Sequence, residues 1–432
     1  MPNTTLLPTT FSTSSAVRQR LFSPLQATYH NSHSQYVCRE LPDLTFLQMG
    51  VLRVLSPSKS GRDFLQLYGD CADSDIEVGL YFKSLESRRR LDNLKSINKL
   101  VAQQVRRIMP NPLRGIPELD GFDIYSGDGH YHAAACHDLP VERSDGTISK
   151  LPVGHFFMMD MRSHALEHLD QAETGGGRKA EHDMRAVKRV GAKALRNGAK
   201  KGRKVIIVWD RAIVDTAFWD RAKRSYGVYF LTLEKDGMKL EDARPKELDW
   251  DDPRNAGVID DEIGFSKTKK CKIRRIHYVD PSTGTGYTYL TTELTLPPGV
   301  LVLLYKQRWD IEKVFDELKT KLEEKKAWGS SKEAKSIQAI FECLTHNLML
   351  LLQHELESKE EVINEKEIDR RMKRKAKVEE DSEQSGGATF VATAMQRITQ
   401  RTLKFIRWLR NHVYNIVPWA RAVDRLRKAY LM

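Results

Sequence analysis

The chain has 432 residues, with 70 Lys and Arg against 58 Asp and Glu, and a formal net charge of +12. This length suffices for two or three domains and at least one sizeable core. The excess positive charge favours a polyanionic partner, nucleic acid before an anionic membrane, over a protein that is merely basic. The scattered cysteines, odd in number and without a Cys-x-x-Cys, indicate a reducing compartment and argue against a disulfide scaffold or zinc site. Since no run approaches 18 apolar residues, we expect no membrane span.

The N-terminal part of the chain divides into a leader and a helical region. Residues 1–40 begin with a Ser- and Thr-rich stretch that lacks the features of a secretory signal, so we predict a flexible leader. The shortage of acids there leaves a transit peptide as a second interpretation. Residues 41–115 show apolar residues at helical spacing and a basic face over residues 87–108, which Pro110 closes. We predict a helical DNA-binding region, and solvated helices without a partner are the alternative.

The middle of the chain changes its pattern to alternating strands and helices. Residues 116–225 begin with short β-prone runs, continue through a basic helical stretch, and reach the aliphatic run Lys204–Asp210, typical of a buried strand. A further helical stretch follows. This order of elements predicts the first part of an α/β layered domain.

The second half predicts an interruption of that domain. Residues 226–303 are β-prone, with a hairpin turn over residues 281–286, and read as an all-β insertion. Residues 304–356 return to helix and form the second part of the core. Residues 357–388 read as a charged linker, and residues 389–432 as a basic C-terminal helical region.

Four polar residues follow one another at an unusual spacing: Tyr305, Arg308, Glu312 and Lys319. On a single helix over residues 304–328, at about 100° per residue, all four fall on one narrow stripe. The apolar residues of the same helix lie roughly 90° away and would face the core. An ion-paired surface helix is the alternative.

Candidate carboxylates lie in the strand-like segments. Asp210 ends the aliphatic run, where α/β folds place their sites, although it could also cap the next helix. Asp128 lies in a β-prone run, although Asp-Gly is also a favoured hairpin turn. Asp123 and Asp160 are rivals for the same role.

The segment from Tyr289 to Leu322, YLTTELTLPPGVLVLLYKQRWDIEKVFDELKTKL, resembles the third-carboxylate region of bacterial insertion-sequence transposases of the DDE class. It resembles most the branch with the signature Tyr-x2-Arg-x3-Glu-x6-Lys. Asp128, followed by Gly, and Asp210, followed by Arg, fit the first two acids of that family. The resemblance is clearest over residues 200–325 and does not extend beyond about residue 357.

The resemblance implies an α/β fold with a ribonuclease H-like catalytic core, an all-β insertion, and helical N- and C-terminal regions. It also implies a transposase that cuts phosphodiester bonds with two metal ions and joins the freed 3′-OH to target DNA. Mg²⁺ is the expected ion, with Mn²⁺ able to substitute, because carboxylates and water suit hard cations. The catalytic residues and metal ligands would be Asp128, Asp210 and Glu312.

Further implied residues contact DNA. Tyr305, Arg308 and Lys319 would bind phosphate beside the metal ions. A hairpin intermediate would need an aromatic side chain to hold an unstacked base, for which Trp250 is the first candidate and Trp219 the second. His130 is a further candidate for touching metal or phosphate.

The implied partners are transposon-end and target DNA, with a homodimer to hold two ends, no membrane, and a location in the bacterial cytoplasm at the nucleoid. Two alternatives keep part of this interpretation. A ribonuclease H-like nuclease would cut without strand transfer, and a non-catalytic derivative would only bind DNA. An RNA-binding protein is a third, which no RNA-recognition motif supports.

Overall fold

The computed structural model describes most of the chain. The described residues are 15–31, 38–58, 60–72, 76–142, 146–173, 181–267, 271–322, 326–364, 390–394 and 401–431, with 368–369, 372–373 and 376.

The described strands form one large mixed sheet and a separate small hairpin. Alternating and aliphatic β-branched runs supply them, as expected for strands buried on one or both faces. In chain order they are β1 (Phe122–His132), β2 (Val141–Glu142), β3 (Ile148–Ser149), β4 (Val153–Asp160), β5 (Leu166–Gln171), β6 (Lys204–Val208), β7 (Val228–Leu233), β8 (Glu241–Pro245), β9 (Val258–Phe265), β10 (Lys272–Val279) and β11 (Gly286–Thr291).

The described helices lie on both faces of the sheet and at both ends of the chain. They are α1 (Ala16–Asn31), α2 (Asp43–Leu55), α3 (Gly61–Ala72), α4 (Val78–Leu85), α5 (Arg88–Ile108), α6 (Asp183–Val190), α7 (Ala192–Leu195), α8 (Thr216–Tyr226), α9 (Pro298–Gln307), α10 (Trp309–Asp316), α11 (Lys332–Lys359), α12 (Phe390–Ala394), α13 (Leu403–Tyr414) and α14 (Trp419–Leu431). The predicted mixed α/β class with helical ends is confirmed.

The large sheet has the order β5-β4-β1-β6-β7-β11-β10-β9-β8. Strands β1, β6 and β7 run parallel, and β4 is antiparallel to both of its neighbours. Strands β8 to β11 of the predicted insertion pair antiparallel in the other half, where the predicted hairpin turn joins β10 to β11. Because β7, which lies in the predicted insertion, pairs parallel with β6, and β11 pairs with β7, the β-rich region extends the central sheet instead of forming a layer of its own.

The N-terminal helices share one core with the rest of the protein. Helix α1 lies within the range for which the sequence predicts a flexible leader, but its Val17 and Leu21 are fully buried. Helix α2 packs against α11, where the rings of Phe46 and Phe341 are 5.5 Å apart. Burying this apolar surface stabilises the helices far more than their local propensity does.

The basic face predicted for α5 is partly an internal surface. Arg89 bonds Asp43 at 2.8 Å, and Arg90 bonds the Leu41 carbonyl at 2.7 Å. Arg106 reaches across to Asp160 on β4 at 3.2 Å. These three arginines hold the helix in place, so they are not available as DNA contacts in the way that the sequence predicts.

The single helix predicted over residues 304–328 is wrong. Helix α9 begins earlier, with Pro298 in its first turn, where a missing N–H costs nothing. A break at Arg308 separates α9 from α10, and a π-helical turn over Glu317–Lys321 follows. Because a π-helical turn is wider than an α-helical turn, one helical wheel does not describe the whole segment.

The later helices agree with the sequence in part. The core helix predicted over residues 330–356 is α11, which is buried along most of its length. The C-terminal region predicted to be helical, residues 389–432, contains α12, α13 and α14, and residues 389, 395–400 and 432 lie outside the described residues. Most of the predicted linker, residues 357–388, also lies outside them.

Candidate active site

Strands β1 and β6 bring Asp128 and Asp210 to the same face of the sheet. Ile124 and Ile206 are paired partners in these parallel strands, and both pack in the core beneath α9. Side chains alternate along a strand, so Asp128 and Asp210 lie on this face too, at the carboxyl ends of the strands. Asp128 pairs with Phe157 of β4 inside the strand, so the Asp-Gly pair is not a hairpin turn.

Asp210 has both of the local roles that the sequence allows. It follows β6 directly, and its Oδ1 accepts the backbone N–H of Ala212 at 2.8 Å, which caps a short 3-10 helix over Arg211–Ile213. Its carbonyl accepts the hydroxyl of Thr232 on β7 at 2.6 Å. These bonds fix the backbone and one carboxylate oxygen.

Arg308 joins the first and third predicted acids. Its Nη2 donates to Glu312 Oε1 at 2.8 Å, and its Nη1 lies 3.7 Å from Asp128 Oδ2. The residue is only 5% exposed. The sequence predicts a DNA contact at Arg308, whereas the structure places its guanidinium between two carboxylates.

The three predicted acids also interact electrostatically. Burial raises the pKa of Asp128 to about 7, although Arg308 and the N–H of Gly129 favour the charged carboxylate. Glu312 and Asp210 raise this pKa further, because like charges disfavour ionisation. Arg308 thus links Asp128 to Glu312, and Asp210 follows the strand that pairs with the strand of Asp128.

The other two residues of the predicted stripe differ in exposure. Tyr305 is 6% exposed, its ring packs 5.1 Å from that of Tyr289, and burial raises its pKa. Lys319 is exposed. Burial, His132 and then Lys319 lower the pKa of His130 to about 3, so the Lys319 charge lies near a side chain two residues from Asp128.

The rival acids lie elsewhere. Asp123, at the start of β1, bonds Arg203 at 2.8 Å. Asp160, at the end of β4, is paired with Arg106 and caps the following turn. Asp128, and neither rival, therefore contacts the arginine that bonds Glu312.

The two predicted stacking residues have opposite environments. Trp250 is 70% exposed. Trp219 is fully buried, stacks on Phe230 at 5.6 Å, and donates to the Ile213 carbonyl at 3.1 Å, so Trp219 is wrong as a stacking residue. Trp309, 52% exposed and next to Arg308, is an aromatic candidate that sequence reasoning did not single out.

A fourth acid near the site was also missed. Asp183 begins α6, and its Oδ2 accepts the indole N–H of Trp209 at 3.0 Å. Burial raises its pKa, and Asp210 raises it further. In the sequence it cannot be told from an ordinary acid at a helix N-terminus.

The three acids offer hard oxygen donors, which suit Mg²⁺ or Mn²⁺. Their mutual repulsion is what a bound cation would relieve. The carboxylate oxygens of Asp128, Asp210 and Glu312 do not all lie within 4.8 Å of one another in this structure. Within the described residues, the only three ligand atoms from different His, Cys, Asp or Glu side chains that all lie within 4.8 Å belong to Asp260, Glu262 and His277. That set lies far along the sheet, on β9 and β10, and its Glu262 is already paired with Arg275.

Residues 177–348 match the family model for the transposase DDE domain. This match supports a DDE transposase. The matched DDE domain contains Asp210 and Glu312, whereas Asp128 precedes it. The family implies a metal-dependent nuclease or transposase activity and DNA binding. No curated protein matches the chain. In the described part of the chain, no helix is long and apolar enough to cross a membrane.

Proposed function

We propose that this protein is the DNA transposase of an insertion sequence, in the branch with the Tyr-Arg-Glu-Lys signature. It cuts phosphodiester bonds at transposon ends and joins the 3′-OH ends to target DNA. The observation that carries the proposal is that Arg308 contacts both Asp128 and Glu312, while Asp210 follows the strand that pairs in parallel with the strand of Asp128. Two of these acids lie in the segment that matches the DDE domain.

The sheet order supports a ribonuclease H-like core. Of the five strands β5-β4-β1-β6-β7, only the inner strand β4 is antiparallel to its neighbours, and the other four point the same way. The first acid lies on the first strand, the second follows β6, and the third lies on a later helix. This placement puts acids from three distant segments at one edge of the sheet.

Asp128, Asp210 and Glu312 would hold Mg²⁺, with Mn²⁺ as a substitute. When bound, the ions would activate the attacking water or 3′-OH and stabilise the leaving oxygen. The side chains of Asp128, Asp210 and Glu312 themselves supply the negative charge, and all three lie in partly buried positions. The positive charge of Arg308 partly neutralises the carboxylates of Asp128 and Glu312 and fixes their separation. This lowers the free-energy cost of placing three acids near one another.

Lys319 is the best-placed phosphate contact among the four signature residues, because it is exposed and Tyr305 and Arg308 are buried. Tyr305 packs beneath Arg308, whose guanidinium lies 5.6 Å from its ring centre. Trp250 and Trp309 are exposed and could stack on an unpaired base, which a hairpin intermediate requires.

Binding of the transposon ends is proposed for the helical N-terminal region. Lys95, Lys99 and Arg107 on α5 are exposed and leave a positive surface after the internal arginines are excluded. Two ends must be held together for joining, so a homodimer on DNA is part of the proposal. A location at the bacterial nucleoid follows from a DNA substrate.

The proposal is tested with a linear duplex that contains the natural DNA on both sides of the coding sequence, hereafter the end DNA. With Mg²⁺ and a target plasmid, we expect end cleavage and joined products. Glu312→Gln should abolish both and keep DNA binding, whereas Glu262→Gln, from the acid set on β9, should retain both.

Three results contradict the proposal in different ways. Cleavage without joined product would favour a nuclease. Binding without cleavage by the wild type would favour a non-catalytic derivative. Cleavage by Glu312→Gln at the wild-type rate would remove the site assignment.

A further inference from the structure

The segment before α13 holds the π-helical turn through a buried ion pair. The backbone N–H of Arg401 donates to Glu317 Oε2 at 2.6 Å, and its guanidinium donates to Glu317 Oε1. The two side chains are 4% and 3% exposed. Removing either charge would leave the other buried and uncompensated, so this contact is hard to break.

Two more bonds complete the connection. Lys321, at the end of the turn, donates to the Arg401 carbonyl at 2.6 Å. Arg401 Nη2 donates to the His346 carbonyl of α11 at 3.2 Å. The turn is thus held from its first residue and its last, and Arg401 is itself anchored to the core helix.

The π-helical turn determines the direction of Lys319. Leu322 N–H bonds the carbonyl of Glu317, five residues back, at 3.1 Å. This wider turn changes the rotation of every residue after Glu317 relative to an α-helix that continues from α10. Lys319 lies in the middle of the turn, four residues after Phe315, whose ring stacks at 4.9 Å on that of His130 on the strand that carries Asp128.

We propose that Arg401 is a positioning residue that maintains the π-helical turn through Glu317 and so directs the ammonium of Lys319 toward a DNA phosphate beside the three acids. This inference rests on the proposed function and adds a role for the C-terminal region in that site. Without the ion pair, the turn is free to adopt the more regular α-helical register, which moves Lys319 around the helix.

The matched control is the buried pair of Arg274 with Asp261. Both of its side chains are 0% exposed, and Arg274 likewise bonds a backbone carbonyl, that of Leu296, at 2.6 Å. This pair lies between β9 and β10, away from Lys319. Arg401→Lys and Arg274→Lys therefore make equivalent changes, each keeping the charge and losing the planar fork.

The first measurement follows hydrogen exchange in the free protein. We expect Arg401→Lys to accelerate exchange across residues 317–322, and Arg274→Lys to leave that turn at the wild-type rate. An unchanged turn in Arg401→Lys would overturn the proposal, whether or not the protein acts on DNA.

The second measurement follows binding of the full-length protein to the end DNA as salt is varied. Loss of one phosphate contact lowers the slope of log K against log salt by about one. We expect this change in Lys319→Ala and in Arg401→Lys, but not in Arg274→Lys. Adding Arg401→Lys to Lys319→Ala should change the slope no further.

Two outcomes would contradict a positioning role. Arg401→Lys with the wild-type slope would show that Lys319 does not depend on it, and a further loss of slope in the double variant would show independent action. A wild type that binds the end DNA without salt dependence would instead refute the proposed function, and with it the DNA part of this inference.

Discussion

Asp128 combines burial with two neighbouring negative charges, and its pKa reflects both. The ordinary pKa of an Asp is 3.8, and that of Asp128 is raised to about 7. The folded protein therefore binds the proton more tightly than the unfolded chain does. The stabilising contribution is complete below the ordinary pKa and is lost as the pH rises through about 7.

Asp128→Asn removes this pH dependence. Without divalent metal, we expect the free energy of unfolding of the wild type to fall between pH 5 and pH 8 by on the order of 2 kcal/mol relative to the variant. Urea unfolding at the two pH values measures the difference. Asp92→Asn, at an exposed acid on α5, is the control and should follow the wild type. Parallel profiles for the wild type and Asp128→Asn would refute the assigned environment.

For individual residues, the sequence predicts which acids belong to the proposed site better than it predicts the surroundings of those acids. Asp210 follows an aliphatic strand and Glu312 lies in a recognisable spacing, so both could be selected from local pattern. The burial of Arg308 and Tyr305 could not be predicted. It depends on α9 lying against β11, whose Tyr289 covers Tyr305, and a helical wheel gives no information about such a neighbour.

Between the neighbouring strands β1 and β6, Gly127 of β1 packs closely against the ring of Trp209, which directly follows β6. A Cβ on this residue would lie 1.8 Å from the Trp209 ring on the same face. Trp209 precedes Asp210 and donates to Asp183, so its position matters to the end of the strand. Gly127 is therefore required by the space between side chains and not by an unusual backbone conformation.

Gly127→Ala should destabilise the sheet by about 1–3 kcal/mol, because the added methyl group displaces Trp209. We also expect slower cleavage of the end DNA, since Asp210 moves with Trp209. Gly121→Ala is the control, because a Cβ there meets no atom within 4 Å. Equal urea midpoints for the two variants would show that the sheet accommodates the methyl group.

Helix boundaries show why local pattern is insufficient near the site. The sequence from Leu304 to Lys321 favours one helix, and its apolar spacing contains no sign of a break at Arg308 or of a π-helical turn. Both irregularities coincide with polar contacts of a buried arginine, Arg308 to Glu312 and Arg401 to Glu317. The second contact joins residues far apart in the chain, so no local rule could predict it.

The largest of the hydrophobic cores in the described part of the chain crosses the predicted domain boundaries. Buried side chains of α1, α2, α5, β4, α10, α11, α13 and α14 belong to a single cluster. Asn347 of α11 donates to Asn98 of α5 at 3.0 Å and to the Leu166 carbonyl of β5 at 2.9 Å. The N-terminal region is thus part of the structural support of the catalytic face.

Removal of residues 1–115 should therefore prevent folding of the remainder, because Phe341 and its neighbours on α11 would lose their cover. Calorimetry of the full chain should show one main cooperative transition for this core. A soluble truncated protein with native near-ultraviolet circular dichroism would contradict this expectation. So would a separate early transition that is lost on truncation.

The sequence predicts the elements of this architecture but not their neighbours. Hydrophobic periodicity predicts strands over residues 226–303, where β7 to β11 do lie, although α9 begins at Pro298; the hairpin turn at residues 281–286 was predicted correctly. Periodicity identifies which face of a strand is buried and says nothing about which strand pairs with it. The parallel pairing of β6 with β7, the first strand of the predicted insertion, makes one sheet from two predicted parts and could not be predicted from periodicity.

The claim that Asp128, Asp210 and Glu312 hold a divalent ion is tested most directly by binding of Mn²⁺, followed by electron paramagnetic resonance on the full-length protein. We predict that Asp128→Asn, Asp210→Asn and Glu312→Gln each weaken binding at least about tenfold, since each removes a charged oxygen ligand. Asp260→Asn, from the acid set on β9, should bind Mn²⁺ like the wild type. Wild-type binding by all three site variants, or loss of binding in Asp260→Asn, would contradict the claim.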